Sequence, residues 1–219
     1  MRALRDGLVV FVLVCGACAT GETGTAPSTS PEGGADASTP IGTNDGGGDA
    51  GADARSDATT SPAGTKRIFA TKAQFTGAFG GANSADAHCA AAATAAGLGG
   101  TWKAWISDGA ESAAQRMGTA DKWVLVDGKT IAFTTKTMSG LAAHDLDMDE
   151  FGATGEKGLA WTGTNNGGSS TGKNCSGWTT IGASGTAGYV GQPDKWTDDG
   201  TETPCNLKGR LYCVEQPPP

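Results

Sequence analysis

Four cysteines constrain the fold of this chain more than any other feature. Cys89, Cys175, Cys205 and Cys213 all fall in the stretch that carries the large apolar residues. No C-x-x-C spacing joins any two of them, which argues against a four-cysteine zinc site. An even number of cysteines in an exported chain points instead to disulfides, and four allow three pairings. Export is read from the start of the chain. Arg2 and Arg5 precede the apolar run GLVVFVLVCGA at 7–17, which is too short to span a bilayer as a helix.

The end of that run, Cys15-Gly16-Ala17-Cys18, resembles a bacterial lipobox, in which lipid is attached to the cysteine that then becomes the first residue. Cys15 departs from the motif, which has leucine there. We expect residues 1–17 to be a lipoprotein signal peptide and Cys18 to carry the lipid. Residues 19–64 hold no aromatic residue and one large aliphatic, Ile41. Such a segment buries too little apolar surface to offset its ordering entropy, so 18–64 reads as a lipid anchor followed by a disordered Gly/Ala/Ser/Thr/Asp-rich linker. A coil of that length reaches roughly 35–40 Å.

The linker also carries most of the charge. Seven acids (Glu22, Glu32, Asp36, Asp45, Asp49, Asp53, Asp57) face Arg55 alone, while the chain as a whole has a net charge of −7. The rest is close to neutral and lacks the basic stripe that phosphate neutralisation needs, so nucleic acid is excluded as a partner.

One domain is expected over 65–216, with 217–219 a short tail. KRIFAT (66–71) reads as a strand. The alanine-rich segment 83–100 reads as the main helix, with Asn83 or Ser84 as N-cap and Gly97 as its stop. TWKAWIS (101–107) alternates with Trp102, Ala104 and Ile106 on one face and reads as a strand, and 109–117 as a short helix. WVLVDGKTIAF (123–133) is a hairpin about Asp127-Gly128. Strands are expected again at 158–164 and 209–216. Between them, 134–157 and 164–208 read as long glycine-rich loops, of the kind that are functional or covalently pinned.

Three blocks, ADAHCAAAATAAGLGGTWKAWIS (85–107), WTGTNNGGSSTGKNCSGW (161–178) and CNLKGRLYCVEQ (205–216), resemble in order and spacing landmark blocks of endostatin. They are closer still to the bacterial endostatin-like outer-surface lipoproteins. The resemblance covers nearly all of 66–216. It implies an α+β, C-type lectin-like (endostatin-like) domain with mixed strands, one main helix, long loops and two disulfides. It also implies a nested pairing, Cys89 with Cys213 and Cys175 with Cys205.

Each candidate site also has a plainer reading. Gln192-Pro193-Asp194 matches the triplet of calcium-dependent sugar-binding lectins, but there it precedes the second cysteine, whereas here Cys175 comes first. The residues before Cys205 are DDGTETP, without the usual calcium-binding triplet. We therefore read Gly191–Trp196 as a turn, with Trp196 packing on the inner disulfide region or standing free as a contact. Asp145, Asp147, Asp149 and Glu156 fall at positions 1, 3, 5 and 12 of a calcium-loop pattern, but Glu150 stands where the sharp turn needs glycine. A solvated acidic loop is expected there, with no metal and no other cofactor, calcium being the alternative. GSSTG (168–172) matches G-x-S-x-G outside the strand-to-helix context that a nucleophile elbow needs, and His88 and His144 both precede it. The zinc-binding histidines of endostatin have no counterpart in TKRIFATKAQF.

These readings favour a non-catalytic, surface-anchored binding module: adhesin-like, monomeric, taking an extracellular protein or polysaccharide, and tied to the membrane only through its lipid. The expected location is the bacterial cell envelope, as an outer-membrane lipoprotein at the surface. Two alternatives are a calcium-dependent carbohydrate-binding lectin and an enzyme on a C-type lectin-like fold, which would need a reactive cysteine pair. The expected binding face is the long-loop region between Gly163 and Glu202, through Asn165, Asn166, Tyr189, Asp194, Trp196 and Asp198.

Overall fold

Strand β1 (Thr65–Ala70) runs through the middle of the sheet that organises the domain. A computed structural model describes residues 64–217; the signal segment, Cys18 and the linker up to residue 63 lie outside the described residues, as do Pro218 and Pro219. The chain continues through β2 (Phe75–Thr76), α1 (Ala82–Ala95), β3 (Thr101–Ala104), α2 (Ala113–Met117), β4 (Lys122–Leu125) and β5 (Ile131–Phe133). Then come β6 (Gly158–Trp161), β7 (Ser184–Val190), β8 (Glu202–Pro204), β9 (Lys208–Gly209) and β10 (Tyr212–Gln216). The main sheet has the order β3-β10-β1-β4-β5, with β1 and β4 parallel and the other pairs antiparallel. A second sheet, β6-β7-β8, is antiparallel, and β2 pairs with β9. The domain is thus mixed α+β, with few helices. No described helix is long and apolar enough to cross a membrane.

Helix α1 ends as its sequence suggests. Gly97 is left-handed (φ +69°), its N–H donates to Thr94 O, and Leu98 N–H donates to Ala93 O, which satisfies two carbonyls of the last turn. Its start differs from expectation. Gly81 is the N-cap and no side chain caps the helix, because Ser84 Oγ turns back to Gly80 O. The short helix α2 has a capping box, with Ser112 and Gln115 bonded reciprocally. The hairpin about Asp127-Gly128 forms, with Gly128 at φ +71°.

The stretch 164–208 is not one long loop, because β7 is the central strand of the second sheet. Its sequence, SGTAGYV, lacks the β-branched run that marks a strand, and packing explains why. A Cβ on Gly188 would lie 1.8 Å from Trp196 O, and one on Gly185 would lie 2.9 Å from Cys175 Sγ. Larger residues have no room where this strand crosses.

All six tryptophans are buried, and Trp105, Trp123, Trp161, Trp178 and Trp196 are fully so. Arg67 and Glu215, on β1 and β10, form a buried two-bond pair beside the Trp102 ring. Two disulfides close the domain: Cys89–Cys213 ties α1 to β10, and Cys175–Cys205 closes 30 residues of the second half. These are the pairs that the resemblance implies.

Cys175–Trp178 is a left-handed turn. Cys175, Ser176, Gly177 and Trp178 have φ of 52°, 55°, 71° and 64°, and three of the four are not glycine. For an L-residue this conformation costs roughly 1–2 kcal/mol, and it is seldom adopted by consecutive residues. The turn is held by Asn174, whose Oδ1 accepts from Gly177 N–H and whose Nδ2 donates to Asp108 O. The Trp178 indole N–H donates to Ser107 O, and its ring stacks on Phe79.

Candidate functional site

Three loops of the described domain are bonded to one another. The first, 164–170, is a tight hairpin closed by a bridge between Thr164 and Ser170. Asn165 organises it: its Oδ1 accepts from Gly167 and Ser169 N–H, and its own N–H donates to Ser169 O. The second loop carries Gly140 and Leu141. Gly140 N–H donates to Asn166 O at 2.7 Å, which fixes it to the first loop. The third, 191–195, turns back on itself through Gln192 N–H to Tyr189 O and Lys195 N–H to Gln192 O. Ala142 N–H donates to Pro193 O at 3.1 Å, so the second loop lies between the other two.

The expected contact residues divide on this geometry. Asn166 and Asp194 are exposed, on the loops that bond to the two chain neighbours of Leu141, which at 70% is the most exposed large apolar side chain among the described residues. Asn165 is half-buried and spends its amide oxygen on its own loop, so it shapes the face. Tyr189 is half-buried on β7 opposite Leu159. Asp198 accepts from Gly200 N–H and caps its own turn.

Trp196 is a correction. It is 0% exposed, so it is not a free contact. Its ring packs on Trp105, Phe133 and Tyr212, and its indole N–H donates to Gly140 O at 2.8 Å. It supports the Leu141 loop from below. Leu141 itself escaped sequence reasoning, since a lone leucine between glycine and alanine carries no signal of its own.

Beneath the loops lies a buried set of hydroxyls. Ser107, Thr162, Thr164 and Thr197 are all fully buried. Ser107 Oγ and Thr164 Oγ1 share a hydrogen bond of 2.8 Å, and Ser107 Oγ also accepts from Ala113 N–H. Trp105 Nε1 donates to Thr197 Oγ1, Thr197 Oγ1 donates to Thr164 O, and Thr162 Oγ1 donates to Thr197 O. Buried polar groups of this kind hold geometry only when fully satisfied, as here. In the GSSTG segment, Ser170 Oγ accepts from Gly172 N–H within the loop. His88 stacks on Phe75, and the His144 ring bonds Asp145 O, so neither is positioned on a serine.

The acidic loop is also corrected: it is folded inward rather than solvated. Asp147, Asp149 and Glu150 are buried. Asp149 Oδ1 accepts from Phe151 and Ala153 N–H, Asp147 Oδ2 from Gly155 N–H, and Glu150 Oε2 from Lys72 N–H. The positive charge comes from the chain itself. Lys157 Nζ lies 3.7 Å from Asp145 and 4.0 Å from Asp147, Lys72 Nζ lies 4.0 Å from Asp149, and Arg210 pairs with Glu156. Lys157 thus stands between the first two acids of the calcium-like pattern. Burial, and then the charges of Asp147 and Asp145, push the Tyr212 hydroxyl well above its ordinary range, so it stays neutral. Among the described residues no group of three or more His, Cys, Asp or Glu could hold a metal ion.

Residues 72–196 match a family model described as "Protein of unknown function (DUF1554)". The matched span contains all three loops and the acidic loop, and it ends at Trp196. No curated protein matches the chain.

Proposed function

The chain belongs to the DUF1554 family, whose description names no activity, and from that premise we propose a non-catalytic binding module that presents the three-loop face. The observation that carries this reading is the interlocking of 140–142, 164–170 and 191–195 by main-chain hydrogen bonds over a buried indole and hydroxyl base. A face built this way is ordered before it meets a ligand, which lowers the entropy lost on binding. It exposes an apolar side chain, Leu141, together with an amide, Asn166, and a carboxylate, Asp194, on the loops joined to it.

The finer reading keeps the resemblance. We propose an endostatin-like variant of the C-type lectin fold, with an extracellular protein or polysaccharide as ligand. Lipid on Cys18 would hold the domain at the outer surface of a bacterial envelope on the 18–64 tether. Mass spectrometry of the membrane fraction is expected to find a lipidated N-terminal Cys18; an unmodified or different N-terminus would remove the anchor from the proposal.

Binding is tested with protein and glycan arrays and the purified chain. With a ligand in hand, Leu141→Ala, Asn166→Ala and Asp194→Ala are each expected to weaken it about tenfold, or about 1.4 kcal/mol. Melting temperatures should stay within about 1 °C of the parent, since exposed substitutions away from caps and cores move stability little. EDTA should leave binding unchanged. Loss of binding in EDTA would favour a calcium-dependent lectin, and full binding by all three variants would place the site elsewhere.

A further inference from the structure

Two disulfides close this domain, and their backbones differ. Cys89 sits inside the regular helix α1 and Cys213 inside strand β10, between the fully buried Tyr212 and Val214. Cys175 is itself left-handed and opens the turn in which Ser176 and Trp178 are left-handed too. Both inner cysteines are buried, with Gly77 and Gly185 packed against Cys175 Sγ, while Ser176, Pro204 and Asn206 next to them in the chain are exposed.

We propose that Cys175–Cys205 is a redox-sensitive latch on the left-handed turn, opened by a dithiol while Cys89–Cys213 stays closed. In the step, one dithiol gives two electrons and two protons. The Cys175–Cys205 S–S bond breaks, both sulfurs leave as thiols, and the reductant closes into its own disulfide. With the bond gone, Cys175 and Ser176 are free to leave a conformation that L-residues disfavour, and this release accompanies reduction of the inner bond only.

The turn supports two other parts of the domain. Trp178 O accepts from Gly80 and Gly81 N–H at the start of α1, which has no side-chain cap. The Trp178 ring and Ser107 O close on Gly163, where a Cβ would lie 2.8 Å from each. Gly163 leads into the 164–170 loop, and Ser107 bonds Thr164 at its root. Opening the latch therefore loosens the first turn of α1 and the root of that loop together. The inference stands on backbone conformation and contacts, independently of whether the loop face binds a ligand.

The test is a titration of the full chain with dithiothreitol, quenched by alkylation and mapped by peptide mass spectrometry, with hydrogen exchange followed in parallel. Cys175 and Cys205 should become alkylated at a dithiol concentration at least tenfold lower than Cys89 and Cys213. At that point amides of 80–85 and 164–170 should exchange at least tenfold faster, while those of β1 and β10 stay protected. Joint opening of the two bonds, the outer bond opening first, or inner reduction without faster exchange would each overturn the latch. Ser176→Gly separates strain from access, because glycine accepts the left-handed state readily. In that variant the inner bond should need severalfold more dithiol; an unchanged midpoint would overturn strain as the cause.

Discussion

Replacing Trp196 with alanine is expected to remove about 3–5 kcal/mol of stability, the usual cost of deleting a fully buried large aromatic side chain. For a domain of this size that corresponds to a fall in melting temperature on the order of 10 °C. The ring touches Trp105, Phe133 and Tyr212, so its removal opens a cavity at the meeting point of three large side chains. The surroundings can close on that cavity only in part. Gly188 of β7 lies directly against Trp196 O, and the strand is already at its closest approach there. The indole bond to Gly140 O is lost as well, which frees the loop that carries Leu141. Thermal and urea unfolding of Trp196→Ala and Trp196→Phe would measure this, with the phenylalanine variant falling between alanine and the parent. A drop of less than about 1 kcal/mol for alanine would contradict the core position of the ring. Because the variant disturbs both fold and loop, any loss of binding in it says nothing about direct contact; Leu141, Asn166 and Asp194 are the residues that do.

Much of this fold was legible in the chain because local signals and packing agree. The alanine-rich segment stops at a glycine that can take positive φ, and the Asp127-Gly128 hairpin has apolar runs on both sides. β7 was not legible, because its glycines answer to atoms distant in sequence, the carbonyl of Trp196 and the sulfur of Cys175. Trp196 lies between Lys195 and Thr197 in a polar turn, and nothing local distinguishes an indole facing inward from one facing out. The acidic loop misleads for a related reason. Its carboxylates look solvent-bound in sequence, yet Lys157 at the loop's own end, Lys72 and Arg210 from elsewhere in the chain, and the loop's own amides let them fold inward. The disulfide that pins the 164–208 stretch was legible through the resemblance, whereas the exposed Leu141 stands out only once Gly140 is tied to Asn166 and Ala142 to Pro193.

Removing the outer disulfide, as Cys89→Ala/Cys213→Ala, should be the more costly of the two disulfide deletions. Its cysteines are 124 residues apart, against 30 for Cys175–Cys205. Loop entropy alone then assigns about 5 kcal/mol to the outer link and about 3.5–4 kcal/mol to the inner. Packing adds to the difference. The buried residues of α1 are Ala82, Ala85, Cys89 and Ala93, so the helix brings little apolar surface to the sheet apart from its cysteine. It is also tied by Asp86, which accepts from Ala104 N–H and pairs with Arg116, by His88 stacked on Phe75, and at its start by Trp178 O. Against a typical total stability of about 5–15 kcal/mol, losing the outer link leaves a margin thin enough for α1 to detach from β3 and β10. Urea unfolding without reductant, comparing this variant with Cys175→Ala/Cys205→Ala, should give the larger loss for the outer pair. The helical signal in circular dichroism should fall early in its transition. Equal losses, or a larger loss for the inner pair, would show that α1 is held by its packing and that the link across the domain is not its main tether.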